Sequence, residues 1–211
     1  MLRVARFTFN PFAENSFIVD DGRHALIVDP GCWNRAEERQ LEDHLATNAL
    51  EPVRVVNTHG HIDHVMGNAW AQRRYGLAPW IHHADLPLLK GAANMARVYG
   101  IPFEESPDPA GYLEEGKPVQ LGGDQLEVIH LPGHAPGHVG LFHLGQRFIL
   151  SGDVLFQRSI GRTDLPGGDL DILLSSIKAK LLPLGDDVVV HCGHGPDTTI
   201  GDERRMNPFL R

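Results

Sequence analysis

Cysteine is scarce in this chain, with two in 211 residues, Cys32 and Cys192, far apart and in no CxxC pattern. That excludes a disulfide framework and a cysteine-built zinc knuckle. Basic charge is also short: 19 Lys and Arg stand against 27 Asp and Glu, for a net charge of −8. A partner bound through its phosphate backbone would favour a basic face, so no nucleic-acid partner is expected. Long apolar runs are absent. Met1 to Asn10 alternates apolar and polar residues and lacks the unbroken run of a signal peptide, and no stretch approaches membrane-spanning length. A cytoplasmic protein without a membrane partner is the expectation. There is no linker, no sequence-level repeat and no Ser-His-Asp arrangement. What remains is the composition of an ordinary globular domain, 42% hydrophobic and 22% charged, long enough for one large domain over residues 1–211.

Histidine is abundant, 13 in all, and three fall within Thr58-His59-Gly60-His61-Ile62-Asp63-His64. The β-branched run Val53 to Asn57 before this stretch reads as a buried strand, and Val65 to Tyr75 after it reads as a helix. A strand-to-helix junction is a common place for a site in an α/β fold. His59 and His61 are two apart and point to one side in extended backbone, while Asp63 and His64 swing round as the helix starts. Imidazole and carboxylate suit a borderline divalent metal such as zinc.

Around this stretch the chain reads in order. Strands over 2–9, 15–20 and 25–28 form a meander. Asn34, with Glu37 three residues on, caps a helix running to about Asn48 with Leu41 and Leu45 inward. Residues 79–82 form a short strand, 84–99 a helix interrupted at Pro87 and Gly91, and 102–116 a loop that could lie over a site. Further strands fall at 118–121, 125–131, 139–144, 147–150 and 188–190, and Asp169 caps a helix with an apolar stripe from Leu170 to Leu181. Strands followed by helices occur twice. This predicts an α/β fold of two sheets face to face with helices outside, a four-layer αββα sandwich.

Three later segments end strands and offer ligands: His134, Asp153 and His194, each preceded by a glycine. Two metals need about four ligands each. His59, His61 and His134 make one set, Asp63, His64 and His194 the other, and Asp153 can bridge them through its two oxygens. Asp29 is either a turn residue or a support for a metal histidine. Cys192 reads as a small buried residue and not a nucleophile. His24, His44, His82, His83, His130, His138, His143 and His191 read as surface, core or supporting residues. Arg158 and Arg162 either line a substrate pocket or lie in a solvated loop.

The motif at 58–64, with His134, Asp153 and His194, resembles the metallo-β-lactamase fold superfamily. Within it, Ser151 to Phe156, Gly161-Arg162-Thr163-Asp164 and the ending Thr198 to Leu210 look like the short bacterial glyoxalase II-like hydrolases. The resemblance implies the αββα fold, a dinuclear centre of zinc type (iron or manganese as alternatives) and hydrolysis of a small-molecule thioester such as S-lactoylglutathione. It carries the ligand roles onto the seven residues named above, with Asp63 also orienting the attacking water. Full-length glyoxalase II enzymes add a C-terminal helical domain that helps hold glutathione, and use a lysine and a tyrosine near the metal. Here Arg162 could replace the lysine, but Asp164 cannot replace the tyrosine, so weaker glutathione binding is expected. Two rivals are kept: a persulfide dioxygenase of the same superfamily, with one iron and its own Gly-Arg-Thr-Asp stretch, and a non-catalytic metal-binding protein.

Overall fold

A computed structural model describes residues 1–211. The first half builds a six-stranded sheet in sequential order: β1 (Arg3–Phe9), β2 (Glu14–Asp20), β3 (His24–Val28), β4 (Glu51–Val56), β5 (Pro79–His82) and β6 (Gly111–Leu113). β1, β2 and β3 are antiparallel, as expected of a meander, and β3 to β6 run parallel. Parallel strands need crossovers, and the chain supplies α1 (Arg35–Thr47), then α2 (Ile62–Val65) and α3 (Asn68–Tyr75), then α4 (Leu86–Tyr99). The second half builds β7 (Val119–Leu121), β8 (Asp124–His130), β9 (Val139–His143), β10 (Phe148–Gly152), the hairpin β11 (Leu155–Phe156) and β12 (Ser159–Ile160), α5 (Leu170–Ser176), β13 (Val189–Cys192), β14 (Thr198–Thr199) and α6 (Ile200–Met206). Its sheet has the order β14-β13-β10-β9-β8-β7.

Side-chain alternation along the strands sets the layers. Phe17, Val19, Leu26 and Val28 of the first sheet meet Leu126, Val128, Leu141 and Leu150 of the second. The opposite face, Ile18, Ala25 and Ile27, packs on Leu41 and Leu45 of α1 and Trp70 of α3. Phe142, Ile149 and Val190 pack on Leu173 of α5 and on Ile177 and Leu181 beyond it. Burial on both faces makes β3 nearly continuous in apolar residues, while β2 buries Glu14, Asn15 and Ser16 before its apolar run Phe17 to Val19. The result is the expected αββα sandwich.

Local details differ from the sequence reading. The helix expected over 65–75 is broken at Met66 and Gly67, where the Gly67 N–H donates to the Pro30 carbonyl at 2.6 Å. A Cβ there would strike Cys32 and Pro30, so the loop after β3 crowds the helix apart. In α4, Pro87 and Gly91 do not interrupt the helix: Pro87 lies in the first turn, where no N–H is needed, and Gly91 continues it. Gly111–Leu113 forms β6 within the segment read as a loop, and no residue of 102–116 lines the main cavity. Pro102, Phe103 and Glu104 border a smaller separate cavity instead. No helix is long and apolar enough to cross a membrane.

Candidate metal centre

The seven residues singled out in the sequence converge where β4, β8, β10 and β13 end. Thr58 and His59 lie in a bend after β4, His61 caps α2 from extended backbone, and α2 turns Asp63 and His64 toward a second point. His134 stands in the turn between β8 and β9, after Gly133 at φ +127°. Gly152 at φ +49° turns Asp153 inward after β10, and His194 follows β13. A Cβ on Gly193 would overlap the Asp153 carboxylate, so glycine permits that approach.

Two clusters result. His61 Nδ1 stands 2.8 Å from His134 Nε2, which is 3.2 Å from His59 Nε2. His194 Nε2 stands 3.1 Å, and His64 Nε2 3.7 Å, from Asp63 Oδ2. Asp153 lies between them: its Oδ2 is 3.5 Å from both His134 Nε2 and His194 Nε2, and its Oδ1 is 3.4 Å from His64 Nε2. Oδ2 therefore faces both clusters and Oδ1 faces the second.

The other ring nitrogens decide which atoms face inward. His134 Nδ1 donates to the Arg162 carbonyl at 2.8 Å, and His194 Nδ1 to the Phe12 carbonyl at 3.0 Å. His64 Nδ1 donates to Asp29 Oδ2 at 3.0 Å. Thr58 donates its hydroxyl to Asp29 Oδ2 at 2.6 Å, which leaves its oxygen to accept from His59 Nδ1 at 3.0 Å. All four Nε2 atoms thus present lone pairs to the centre, the ligating form. Asp29 supports two of these histidines, settling its role on the side of support. His64 Nε2 and Asp153 Oδ1 are buried with no hydrogen-bond partner. Inward lone pairs, two carboxylates and orphaned buried acceptors fit a cation.

Electrostatics agree. Burial, then neighbouring imidazoles, hold His59 well below the usual histidine range, and burial with His134 pulls His61 down to about 3. Both stay neutral. Burial opposes charge on Asp63 and Asp153, yet His64 above all keeps both below the ordinary carboxylate range. Burial likewise opposes charge on His64 and His194, and the two aspartates raise both above their ordinary value. Without an ion the carboxylates favour the protonated forms of His64 and His194, whose Nε2 lone pairs become available when a cation takes the place of the proton.

Two further residues shape the centre. His138 is buried, stacks on His59 at 4.8 Å and accepts from the Asp153 N–H at 3.0 Å. Asp85, also buried, accepts from the Gly60 N–H at 2.9 Å and from the Gly137 N–H, so it joins the loops that carry His59, His61 and His134. No local pattern points to this role, since Asp85 before Leu86-Pro87 reads only as a helix start.

The clusters open onto a cavity of about 660 Å³. Arg162 lines it and forms a two-pronged pair with Asp164 at 2.7 and 2.7 Å. Arg158, expected beside a substrate, does not reach it. Its guanidinium is drawn 2.7 Å from Glu203, a buried carboxylate of α6 that needs a cation more than solvent does. Cys192 is buried and its thiol is pushed up to about 12 by burial, unsuited to a nucleophile.

The pattern of the metallo-beta-lactamase superfamily matches residues 9–194, and the chain belongs to that superfamily. Its buried histidine–aspartate clusters mark it as a metal-dependent hydrolase of the group. Hydroxyacylglutathione hydrolase GloC of Haemophilus influenzae is 40% identical over 202 residues, 94% of this chain and 93% of that protein. TTHA1623, solved in a di-iron-bound form, matches with TM-score 0.88 and 41% identity over 98% of this chain and 100% of that one. The BLEG-1 B3 metallo-beta-lactamase matches with TM-score 0.89 and 35% identity over 100% of this chain and 99% of its own.

Proposed function

We propose that the protein is a thioester hydrolase of the hydroxyacylglutathione type. Its cofactor is a pair of divalent metal ions, zinc foremost, with iron or manganese as alternatives. His59, His61 and His134 would hold one ion, Asp63, His64 and His194 the other, and Asp153 would touch both. The observation that carries the reading is the set of four inward-facing Nε2 atoms beside the Asp153 and Asp63 carboxylates, the first buried and the second half-buried, in a cavity wall. The likeness to a hydroxyacylglutathione hydrolase over nearly the whole chain supports the choice of substrate.

A divalent pair held there supplies Lewis acidity toward a carbonyl and a water acidic enough to attack near neutral pH. The protein's own groups do the rest. Asp63 orients the attacking water through its carboxylate. Asp29 and Thr58 hold His59 and His64 in the ligating tautomer. A thiolate leaves readily, so no strong general acid is required. The proposed substrate is a small-molecule thioester, and on this reading the protein acts in the cytoplasm without a nucleic-acid or membrane partner.

The test is metal analysis of purified protein with steady-state assays on S-lactoylglutathione. About two ions per chain and thioester turnover are expected. One tightly held iron with persulfide-dependent oxygen uptake would put the dioxygenase first. The 35% identity to a B3 metallo-beta-lactamase favours β-lactam cleavage as a second reading, so a chromogenic cephalosporin belongs in the same assay. Silence on every substrate would leave a metal-binding protein without turnover.

A further inference from the structure

The α4 wall of the cavity is apolar up to the Tyr99 hydroxyl at its end. Leu88, Ala92 and Met95 form a stripe on α4 that Tyr99 continues, Phe12 stacks edge-on against Tyr99 at 5.4 Å, and Ile160 and Leu165 also line the cavity. The one charged group outside the proposed ligands is Arg162, already engaged by Asp164, so no free cation lines this space for a carboxylate. Gly91 lies in the middle of the same helix face. Glycine in a helix interior is disfavoured against alanine. Packing does not require it here, because a Cβ on Gly91 would meet nothing within 4 Å. Gly60 is the contrast: a Cβ there would collide with α4 backbone at 2.9 Å. What Gly91 leaves is room in the cavity wall.

We propose that this α4 wall, centred on the gap at Gly91, seats an uncharged apolar group of the substrate, carried on the acyl or the thiol side of the thioester. The assignment rests on the thioesterase reading for the reaction, but its test does not need turnover. S-methyl-, S-butyl- and S-hexylglutathione are thioethers and are not cleaved. Titrated into zinc-loaded protein, they should bind more tightly with length, by about fourfold for each methylene that enters the wall. Gly91→Leu fills the gap from an open position with a better helix former, and should flatten that series to within about twofold, a few tenths of a kcal/mol.

Hydrolysis then distinguishes the two sides. A gain in kcat/KM from S-lactoyl- to S-hexanoylglutathione places the apolar group on the acyl side. A gain from the S-acetyl ester of ethanethiol to that of hexanethiol places it on the thiol side. Equal affinity for the methyl and hexyl thioethers overturns the proposal, as does no binding of the hexyl compound at millimolar concentration, or a slope that survives Gly91→Leu. If the thioethers rank by length and no thioester is cleaved, the wall stands and the thioesterase reading falls.

Discussion

Asp85 shows how one side chain can govern a site it never touches. It begins α4, yet its carboxylate makes no cap bond to the helix and instead accepts N–H groups from Gly60 and Gly137. Asparagine can accept one of these but would turn an N–H₂ toward the other. Asp85→Asn should therefore weaken metal binding at the His59–His61–His134 set about 10- to 100-fold, with a smaller effect on the Asp63–His64–His194 set. Competition with a chromophoric chelator would read both. The same carboxyl has a pH signature. Burial pushes its pKa up to about 6 against the two N–H donors. Between the ordinary carboxylate value and about 6 the folded chain keeps a proton that the unfolded chain has lost. The stabilisation is full below that window and is lost as pH rises through it. In urea unfolding of metal-free protein, wild type should lose on the order of 2 to 3 kcal/mol relative to Asp85→Asn from pH 4 to pH 6. A constant difference would assign the titration elsewhere. Four of the candidate metal ligands were readable because His59, His61, Asp63 and His64 lie within one local pattern. Asp85 was not, because its partners lie 25 and 52 residues away.

Elements were legible in proportion to their periodicity. The longer strands of both sheets announce themselves by alternation or apolar runs, and α1 by a cap: Asn34 Oδ1 accepts from Ala36 and Glu37 N–H groups as expected. The hairpin β11–β12 and strand β14 have two residues per strand, too few for any period. The break between α2 and α3 comes from contact with a loop far off in sequence, which no local pattern encodes. Arg158 belongs with these cases. Its side chain and its N–H both reach Glu203, which also accepts from Thr198 and Asn207, so it fastens the β11–β12 hairpin to α6. Arg158→Ala should cost about 1–3 kcal/mol of stability, tempered by the partial exposure of the arginine, and leave KM for the thioester unchanged. A raised KM with unaltered unfolding would return Arg158 to the substrate.

At the scale of the molecule, the proposed centre lies on the seam between the two sheets. The Asn15 N–H donates to the Gly193 carbonyl at 2.7 Å, and its side chain to those of Cys192 and Gly195 at 3.0 and 2.8 Å. On the other side the Val139 N–H donates to the Thr58 carbonyl at 2.8 Å. Ions bound there would tie both halves. A free-ion concentration a hundredfold above Kd adds about 2.7 kcal/mol, or roughly 5–10 °C in Tm at this chain length. Calorimetry with and without chelator should show that shift in one transition. A shift confined to a partial early transition would place the ions in one half alone.

The division of ligands along the chain has a consequence for cutting it. His59, His61, Asp63 and His64 come before the exposed turn at Gly116, and His134, Asp153 and His194 come after it. Each sheet is complete on its own side of that turn. Severed there, the two pieces would each carry a whole sheet with its intersheet face bare, and neither would carry a full set for either ion. Their reunion would become a metal-gated association, in which zinc acts as the clasp between separate polypeptides.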